Sequence, residues 1–224
     1  TTPTFLRMML ISGVVPDKIP KTLKIITYGT ERMDQPTLDQ LCKLLPDVDF
    51  RQTFGMSELG IVRVKSESRN SLFMKVGGEG VETRVVDDVL HIRSQSRMIG
   101  YLNADSPFDK DGWYNTKDVV ERKGDYYRVS GRVNDVINVG GLKFMASEVE
   151  NVALQYPHVS LVKALGRNNP ITGQHLELLV QADQAVEFNK DEFQNYLTNN
   201  LQSHMVPRRI RVGQVSVGHR FKRS

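Results

Sequence analysis

The beginning of the chain alternates between helical and extended hydrophobic patterns. Apolar residues at helical spacing predict a helix over Pro3–Ile11, and short apolar runs predict strands over Leu23–Tyr28 and Val48–Thr53. Between these strands, Asp34 followed by Pro36 is typical of a helix start. Strand, helix and strand in this order indicate a βαβ unit of a parallel sheet, whose ligand sites lie in the loops at the carboxyl ends of the strands.

From residue 63 to residue 133 the pattern changes to short β-runs separated by turn residues. Tight hairpin turns are expected at Asp87-Asp88 and at Lys123-Gly124-Asp125. The predicted strands are Val81–Val86, Val89–Arg93, Val119–Arg122 and Tyr126–Ser130. This segment should form a small antiparallel sheet or a distorted barrel.

The last part of the chain, residues 134–224, mixes helices and strands. Its predicted elements are a hairpin closed at Gly140-Gly141, helices at Ala146–Gln155 and Lys190–Gln202, and strands at Ser160–Leu165, Leu176–Gln181 and Arg209–Val212. We therefore predict an α/β segment (1–62) and a β-rich segment (63–133) that together end a larger domain, followed by a small, mobile α+β domain (134–224).

Composition adds general limits to this picture. The chain has 224 residues, of which 39% are hydrophobic and 25% charged, so a soluble globular protein is expected. Its single cysteine, Cys42, excludes an internal disulfide framework and favours a reducing compartment, with the cytoplasm as the default. No apolar run reaches the length of a membrane span. The net charge of +4 is dispersed among acidic residues, so nucleic acid is not an expected partner.

Several polar motifs follow predicted strands. Phe54-Gly-Met-Ser-Glu58 comes directly after the second strand, where its hydroxyl and carboxylate can project towards a ligand. An isolated carboxylate binds a hard cation weakly, which suits a metal shared with phosphates. Asp118 closes the segment Gly112-Trp-Tyr-Asn-Thr-Lys-Asp118, and a carboxylate is a good acceptor for two adjacent hydroxyl donors.

Together, these motifs resemble the adenylate-forming superfamily of acyl-CoA synthetases, adenylation domains and firefly-type luciferases. The most specific match is Gly131-Arg-Val-Asn-Asp-Val-Ile-Asn-Val-Gly-Gly141, followed by Glu148-Val-Glu150. The resemblance implies that Phe54 stacks on adenine, Ser57 bonds a phosphate oxygen, and Glu58 holds Mg²⁺. The residues it assigns to the nucleotide are Gly29, Thr30, Glu31, Gln52, Thr53, Phe54, Gly55, Met56, Ser57, Asp118 and Arg132.

Further roles are implied for the last domain. Asn134 occupies the position of the family's hinge, which is usually Asp or Lys, and Gly140 and Gly141 would approach the pantetheine arm of coenzyme A. Lys222, in the tail, would bridge the substrate carboxylate and the α-phosphate and counter the charge that grows in the transition state. Two other departures from the family pattern are Lys117 in place of Gly and Asn138 in place of Lys.

The implied activity has two steps: ATP and a carboxylic acid give an acyl-adenylate, and a thiol then displaces AMP. We expect coenzyme A as the acceptor, with a carrier-protein thiol as the alternative, and a place in fatty acid metabolism. No glycine-rich phosphate loop occurs in these 224 residues, so we expect the carboxy-terminal portion of a longer enzyme, inactive without its amino-terminal part.

A non-catalytic nucleotide-binding or scaffold module of the same fold is the competing hypothesis. The departures at Lys117, Asn134 and Asn138 favour this alternative. The joint presence of Glu58, Asp118, Arg132 and Lys222 opposes it.

Overall fold

The computed structural model describes residues 1–183 and 188–216. The chain separates into two compact units, one covering Thr1–Val133 and the other beginning at Asn134. The first unit contains two hydrophobic clusters and the second contains one.

The first unit begins with two helices and two strands that alternate along the chain. They are α1 (Pro3–Ile11), β1 (Ile25–Tyr28), α2 (Gln35–Leu44) and β2 (Asp49–Gln52). The two strands pair in parallel, which confirms the predicted βαβ unit. The core of this part contains buried side chains from all four elements: Leu6, Tyr28, Leu38, Leu41 and Phe50.

Both helices are capped by side chains, as their sequences indicate. The Thr2 hydroxyl accepts a hydrogen bond from the Phe5 amide of α1 (3.1 Å), and the Asp34 carboxylate accepts one from the Thr37 amide of α2 (2.9 Å). The buried Arg7 guanidinium donates to Asp34 and thereby joins α1 to the start of α2.

The rest of the first unit is antiparallel β-structure. A short hairpin consists of β3 (Phe54–Met56) and β4 (Gly60–Val62). A six-stranded sheet follows, with the strand order β5-β6-β10-β9-β8-β7. Its strands are β5 (Val64–Ser66), β6 (Met74–Val76), β7 (Val81–Val86), β8 (Val89–Ser94), β9 (Tyr114–Lys123) and β10 (Tyr126–Arg132). Asp87 and Asp88 both have positive φ, as the predicted two-residue turn between β7 and β8 requires.

Two features of this sheet region differ from the sequence expectation. β9 begins at Tyr114, five residues before the predicted start at Val119, because the polar segment Asn115–Asp118 pairs with its neighbours despite weak β-propensity. The Phe54–Met56 segment, expected to be a strand-end loop, forms β3. Its pairing with Gly60–Val62 depends on contacts that single-strand patterns do not reveal.

The second unit combines two helices with a five-stranded sheet. Its elements are β11 (Val136–Val139), β12 (Leu142–Met145), α3 (Ala146–Ala153), β13 (Val159–Asn169), β14 (Gly173–Ala182), α4 (Lys190–Asn200) and β15 (Arg209–Val212). The sheet order is β12-β11-β14-β13, and β15 pairs in parallel with β14. Val149 of α3 and Leu197 of α4 pack with Leu176 and Leu178 of β14, so the helices cover one face of the sheet. The α/β, antiparallel β and α+β parts confirm the predicted fold class.

Within residues 1–183 and 188–216, no helix combines the length and the apolar content needed to cross a bilayer.

Candidate active site

The carboxyl ends of β1 and β2 approach each other closely at Gly29 and Thr53. The Thr53 amide donates to the Tyr28 carbonyl (2.7 Å), and the Thr53 hydroxyl donates to the same oxygen (3.1 Å). A Cβ atom on Gly29 would lie 2.1 Å from Thr53 Oγ1 and 2.7 Å from the Thr53 carbonyl oxygen. Gly29 is therefore required for this approach, whatever ligand the edge of the sheet binds.

Two of the residues predicted to bind the nucleotide form hydrogen bonds within the protein. Glu31 Oε1 accepts a hydrogen bond from the Thr4 amide in the first turn of α1 (2.8 Å), a favourable place for an anion. Gln52 Nε2 donates to the Ser71 carbonyl (3.3 Å). Thr30, next to Glu31, is exposed and has a φ of 68°. The Glu31 and Gln52 side chains therefore each have a hydrogen-bond partner within the protein.

The β3–β4 hairpin presents the Ser57 and Glu58 side chains in its turn. Phe54 and Met56 are half-buried and pack against the hydrophobic cluster of the antiparallel sheet. A Cβ on Gly55 would lie 2.8 Å from the Gly60 carbonyl oxygen, so this position also requires glycine. Ser57 is exposed, as a phosphate-binding hydroxyl would have to be.

Two tyrosines hold the Glu58 carboxylate. The Tyr101 hydroxyl donates to Glu58 Oε1, and the Tyr114 hydroxyl is near enough to this carboxylate to influence its pKa. The hydrogen bond from Tyr101 is the main cause of a lowered Glu58 pKa, and Tyr114 and the nearby Arg132 charge act in the same direction. Glu58 is therefore ionised at neutral pH.

Tyr114 shows the reciprocal effect. Burial, together with the Glu58 charge, raises the pKa of Tyr114 to about 12. Tyr101 belongs to the loop that follows β8, and the Met98 amide in this loop donates to the Glu58 carbonyl (2.9 Å). The loop is thus bound to Glu58 at both its backbone and its side chain.

Asp118 and Arg132 are cross-strand neighbours on β9 and β10. The Asp118 side chain is only 9% exposed, and Arg132 Nε lies 3.5 Å from its Oδ1. The Asp118 amide is bonded to Thr116 Oγ1 (3.1 Å), which itself donates to the Leu90 carbonyl (2.8 Å). Asp118 is therefore a positioned, nearly buried carboxylate rather than a solvated turn residue.

Lys117 has a φ of 62°, a left-handed conformation that favours glycine. Its amide donates to Asn115 Oδ1 (2.9 Å), a local bond that supports this conformation. The lysine therefore replaces the family's glycine without removing the positive φ.

Arg132 forms an ion pair with one of the other motifs and acts on the second through its charge alone. Its charge acts on Glu58 from the first motif, and its side chain approaches Asp118 from the second. The group combines two carboxylates, a guanidinium and two phenols, which can bind hydroxyls, phosphate oxygens and a hard cation. Among the described residues, no group of three or more His, Cys, Asp or Glu side chains could hold a metal.

Trp113 is half-buried and lies outside the hydrophobic clusters. The guanidinium carbons of Arg84 and Arg93 lie over its ring, 4.3 Å and 5.0 Å from the centroid. Cation–π contacts therefore hold this ring in place.

The second unit contains the remaining predicted site residues. Gly140 and Gly141 have φ values of 62° and 88° and form the exposed turn between β11 and β12. Asn134 is exposed in a 3₁₀ turn, and the Asn138 amide donates to Gln174 Oε1 (2.7 Å). Lys222 lies outside the described residues.

Sequence reasoning missed Tyr101 and Tyr114 as part of the site. Tyr114 belongs to the same motif as Asp118, and its position four residues earlier on one strand was the available signal. Tyr101 is 43 positions from Glu58, and no local pattern indicates their contact.

Comparison with known proteins gives CoA ligases among the curated relatives. The chain is 29% identical over 224 residues to the human mitochondrial malonate–CoA ligase ACSF3, an alignment that covers 83% of this chain and 39% of that protein. It is 28% identical over 185 residues to the 2-succinylbenzoate–CoA ligase of Listeria monocytogenes, covering 78% of this chain and 38% of the relative. The chain thus spans little more than a third of the length of these relatives. No family model matches it.

Solved structures show the same fold. ATP-bound MatB from Rhodopseudomonas palustris superposes with a TM-score of 0.81 at 18% identity, covering 97% of this chain and 47% of that structure. The anthranilate–CoA ligase AuaEII in complex with anthranoyl-AMP gives 0.79 at 18% identity, covering 95% and 45%. At this identity, the structures show the fold alone. With the curated relatives and the motifs, they lead to one conclusion: the chain is similar to the adenylate-forming enzymes, over what corresponds to their carboxy-terminal portion.

Proposed function

We propose that this chain is part of an enzyme that activates a carboxylic acid with ATP and transfers the acyl group to the thiol of coenzyme A. In the first step, a carboxylate oxygen bonds to the α-phosphorus while the bond to the bridging oxygen breaks and pyrophosphate leaves. In the second step, the thiol sulfur bonds to the acyl carbon, AMP leaves, and the thiol proton passes to solvent.

The observation that carries the proposal is the convergence of Glu58, Asp118 and Arg132 from three separate motifs. Asp118 would accept hydrogen bonds from the ribose hydroxyls, with Arg132 beside it. Phe54 would stack on adenine, and Ser57 would bond a phosphate oxygen. Glu58 would hold Mg²⁺, which would neutralise phosphate charge during the transfer.

The second unit would supply the remaining groups. Lys222 would counter charge on the α-phosphate in the transition state. Gly140 and Gly141 would admit the pantetheine arm, and Asn134 would be the hinge between the two units. A carrier-protein thiol is the alternative acceptor.

We infer a carboxylic acid as the substrate and a reducing compartment as the location. The relatives named above are ligases of different acids, which supports a carboxylic acid substrate without selecting a fatty acid. The single cysteine supports a reducing compartment such as the cytoplasm.

One of the three sequence departures that favour the non-catalytic alternative, Lys117, does not alter the local backbone conformation. Lys117 keeps the positive φ, and Asp118 beside it remains held by Thr116. This favours a working nucleoside site.

The first test uses the chain itself. Trp113 is the only tryptophan and lies five residues from Asp118, so its fluorescence reports on the first unit. AMP should bind weakly, and ATP about as well, because the donors for the outer phosphates are expected elsewhere in the enzyme. Asp118→Asn should weaken AMP binding by roughly tenfold or more, the value of a charge-assisted hydrogen bond.

Asp125→Asn, in the turn between β9 and β10, is the matched control and should bind AMP like the wild type. Equal AMP affinity for Asp118→Asn and Asp125→Asn would refute the site. A strong ATP preference at Trp113 would show a phosphate site in the first unit that this proposal omits.

The second test uses the full-length enzyme. Lys222→Ala should reduce carboxylate-dependent pyrophosphate exchange by roughly 10²-fold or more and leave ATP affinity nearly unchanged, because the contact is made mainly in the transition state. Arg223→Ala is the control. Unchanged exchange in Lys222→Ala would remove Lys222 from the mechanism.

A further inference from the structure

Within residues 134–183 and 188–216, the sheet of the second unit has one face that α3 and α4 do not cover. Leu176, Leu178 and Val180 of β14 are buried against α3 and α4. Side chains alternate along a strand, so His175 and Glu177 lie on the opposite face. Charged residues of β13 and β15 gather around Glu177 on this open face.

Four cationic or ionisable groups surround the Glu177 carboxylate. Arg211 Nη2 lies 3.3 Å and Arg167 Nε 3.7 Å from Oε2, while Arg209 Nη1 lies 3.7 Å and His175 Nε2 3.5 Å from Oε1. The Glu177 side chain is 10% exposed, whereas the arginine side chains are 55–62% exposed. The carboxylate is therefore recessed among guanidinium groups that extend into solvent.

The charges in this cluster do not balance. One carboxylate faces three guanidinium groups, and every distance exceeds the roughly 2.7–2.9 Å of a good charge-assisted hydrogen bond. Among the ion pairs of the described residues, Glu177 is the one acidic partner of Arg167, Arg209 and Arg211. The N–H groups of the three arginines are therefore not all hydrogen-bonded. Their positive charges repel one another unless an anion binds between them.

We propose that this cationic face binds a phosphorylated small molecule through its phosphate groups. The planar guanidinium fork matches phosphate oxygens, and Arg remains charged at any physiological pH. The three arginines come from β13 and β15, on either side of β14, and so span two strand spacings, roughly 10 Å. This width suits a diphosphate better than a single phosphate. The site lies in the second unit and shares no residue with the nucleotide residues of the first.

The test is a titration of the chain with pyrophosphate, without Mg²⁺, followed by backbone and arginine NMR signals. Saturable shifts are expected at Arg167, Glu177 and Arg209. Arg209→Glu should weaken binding by roughly tenfold or more, since it removes at least one charge-assisted contact. Lys143→Glu, the same charge reversal elsewhere in the second unit, should leave the affinity unchanged.

A third variant separates binding from structural support. Glu177→Gln removes the competing carboxylate and should tighten pyrophosphate binding several-fold, whereas a purely structural ion-pair cluster would lose stability and gain no ligand. Thermal unfolding of each variant verifies that the second unit is folded. If Glu177→Gln does not fold, the comparison of Arg209→Glu with Lys143→Glu still decides whether this face binds pyrophosphate.

A second titration, with ADP in place of pyrophosphate, identifies the source of the phosphate groups. ADP binding at these residues more tightly than pyrophosphate indicates a nucleotide ligand, and equal affinities indicate inorganic pyrophosphate. Either result supports the site. Shifts that do not saturate, or that weaken equally in Lys143→Glu and Arg209→Glu, would overturn the proposal.

Discussion

Gly29→Ala is the sharpest test of the close approach between the ends of β1 and β2. The new Cβ would lie 2.1 Å from Thr53 Oγ1 and 2.7 Å from the Thr53 carbonyl oxygen, far inside the roughly 3.5 Å of a favourable contact. The hydroxyl can rotate away. The carbonyl cannot move easily because the Thr53 amide is bonded to Tyr28 (2.7 Å).

The backbone must therefore shift, at the upper end of the cost of overpacking, about 3 kcal/mol. For a unit of this size that corresponds to a melting temperature lower by roughly 10 °C. Thermal unfolding followed by Trp113 fluorescence measures the first unit alone, since this is the only tryptophan.

Two variants complete the experiment. Gly100→Ala is the control, because a Cβ there meets nothing within 4 Å, and it should melt like the wild type. Thr53→Ala combined with Gly29→Ala should recover part of the loss, since the hydroxyl clash disappears while the carbonyl clash remains. If Gly29→Ala melts within a degree or two of Gly100→Ala, the inferred approach of the two strand ends is wrong.

Three other predictions concern the first unit and its boundary. Arg7→Ala should destabilise the first unit by about 3 kcal/mol, measured by denaturant unfolding, because it removes the guanidinium partner of the buried Asp34 carboxylate. Stability should fall between pH 10 and pH 12, because the folded state keeps the Tyr114 proton, with its pKa near 12, while the unfolded chain loses it near 10; Tyr114→Phe should remove that part of the fall. Limited proteolysis should cut first between residues 131 and 141 if Asn134 is a hinge, and equal resistance along the chain would argue against one.

Local sequence signals predicted those elements whose structure depends on residues close together in the sequence. Asp34 caps α2 as its sequence indicates, and Gly140-Gly141 closes the predicted hairpin because both residues adopt positive φ. The parallel pairing of β1 and β2 follows from the order of strand, helix and strand.

Features that depend on long-range contacts could not be predicted. β3 exists because Phe54 and Met56 find partners in β4, and a three-residue strand carries no periodicity to detect. The resemblance assigned Glu31 to the nucleotide, and no local pattern indicated that its carboxylate also accepts a hydrogen bond from the Thr4 amide of α1, which lies 27 residues earlier in the chain.

The candidate site also combines features that local motifs predict with features that depend on long-range contacts. The motifs indicated Glu58, Asp118 and Arg132, and the structure brings these three together in the first unit. Their orientation depends on Tyr101, Tyr114 and Thr116, which the motifs do not mark as functional. Motif residues identify the chemistry, whereas Tyr101, which holds the Glu58 carboxylate, belongs to a loop outside the motifs.

The loop attached to Glu58 has a practical consequence for handling the protein. Ile99 and Leu102, on either side of Tyr101, are fully exposed, and the bonds to Glu58 keep the loop from folding them inward. Concentrated samples should therefore self-associate through these side chains, and more strongly in sulfate salts, which favour apolar burial. Leu102→Lys should keep such samples monodisperse without touching the carboxylate, which makes it a useful starting variant for solution studies.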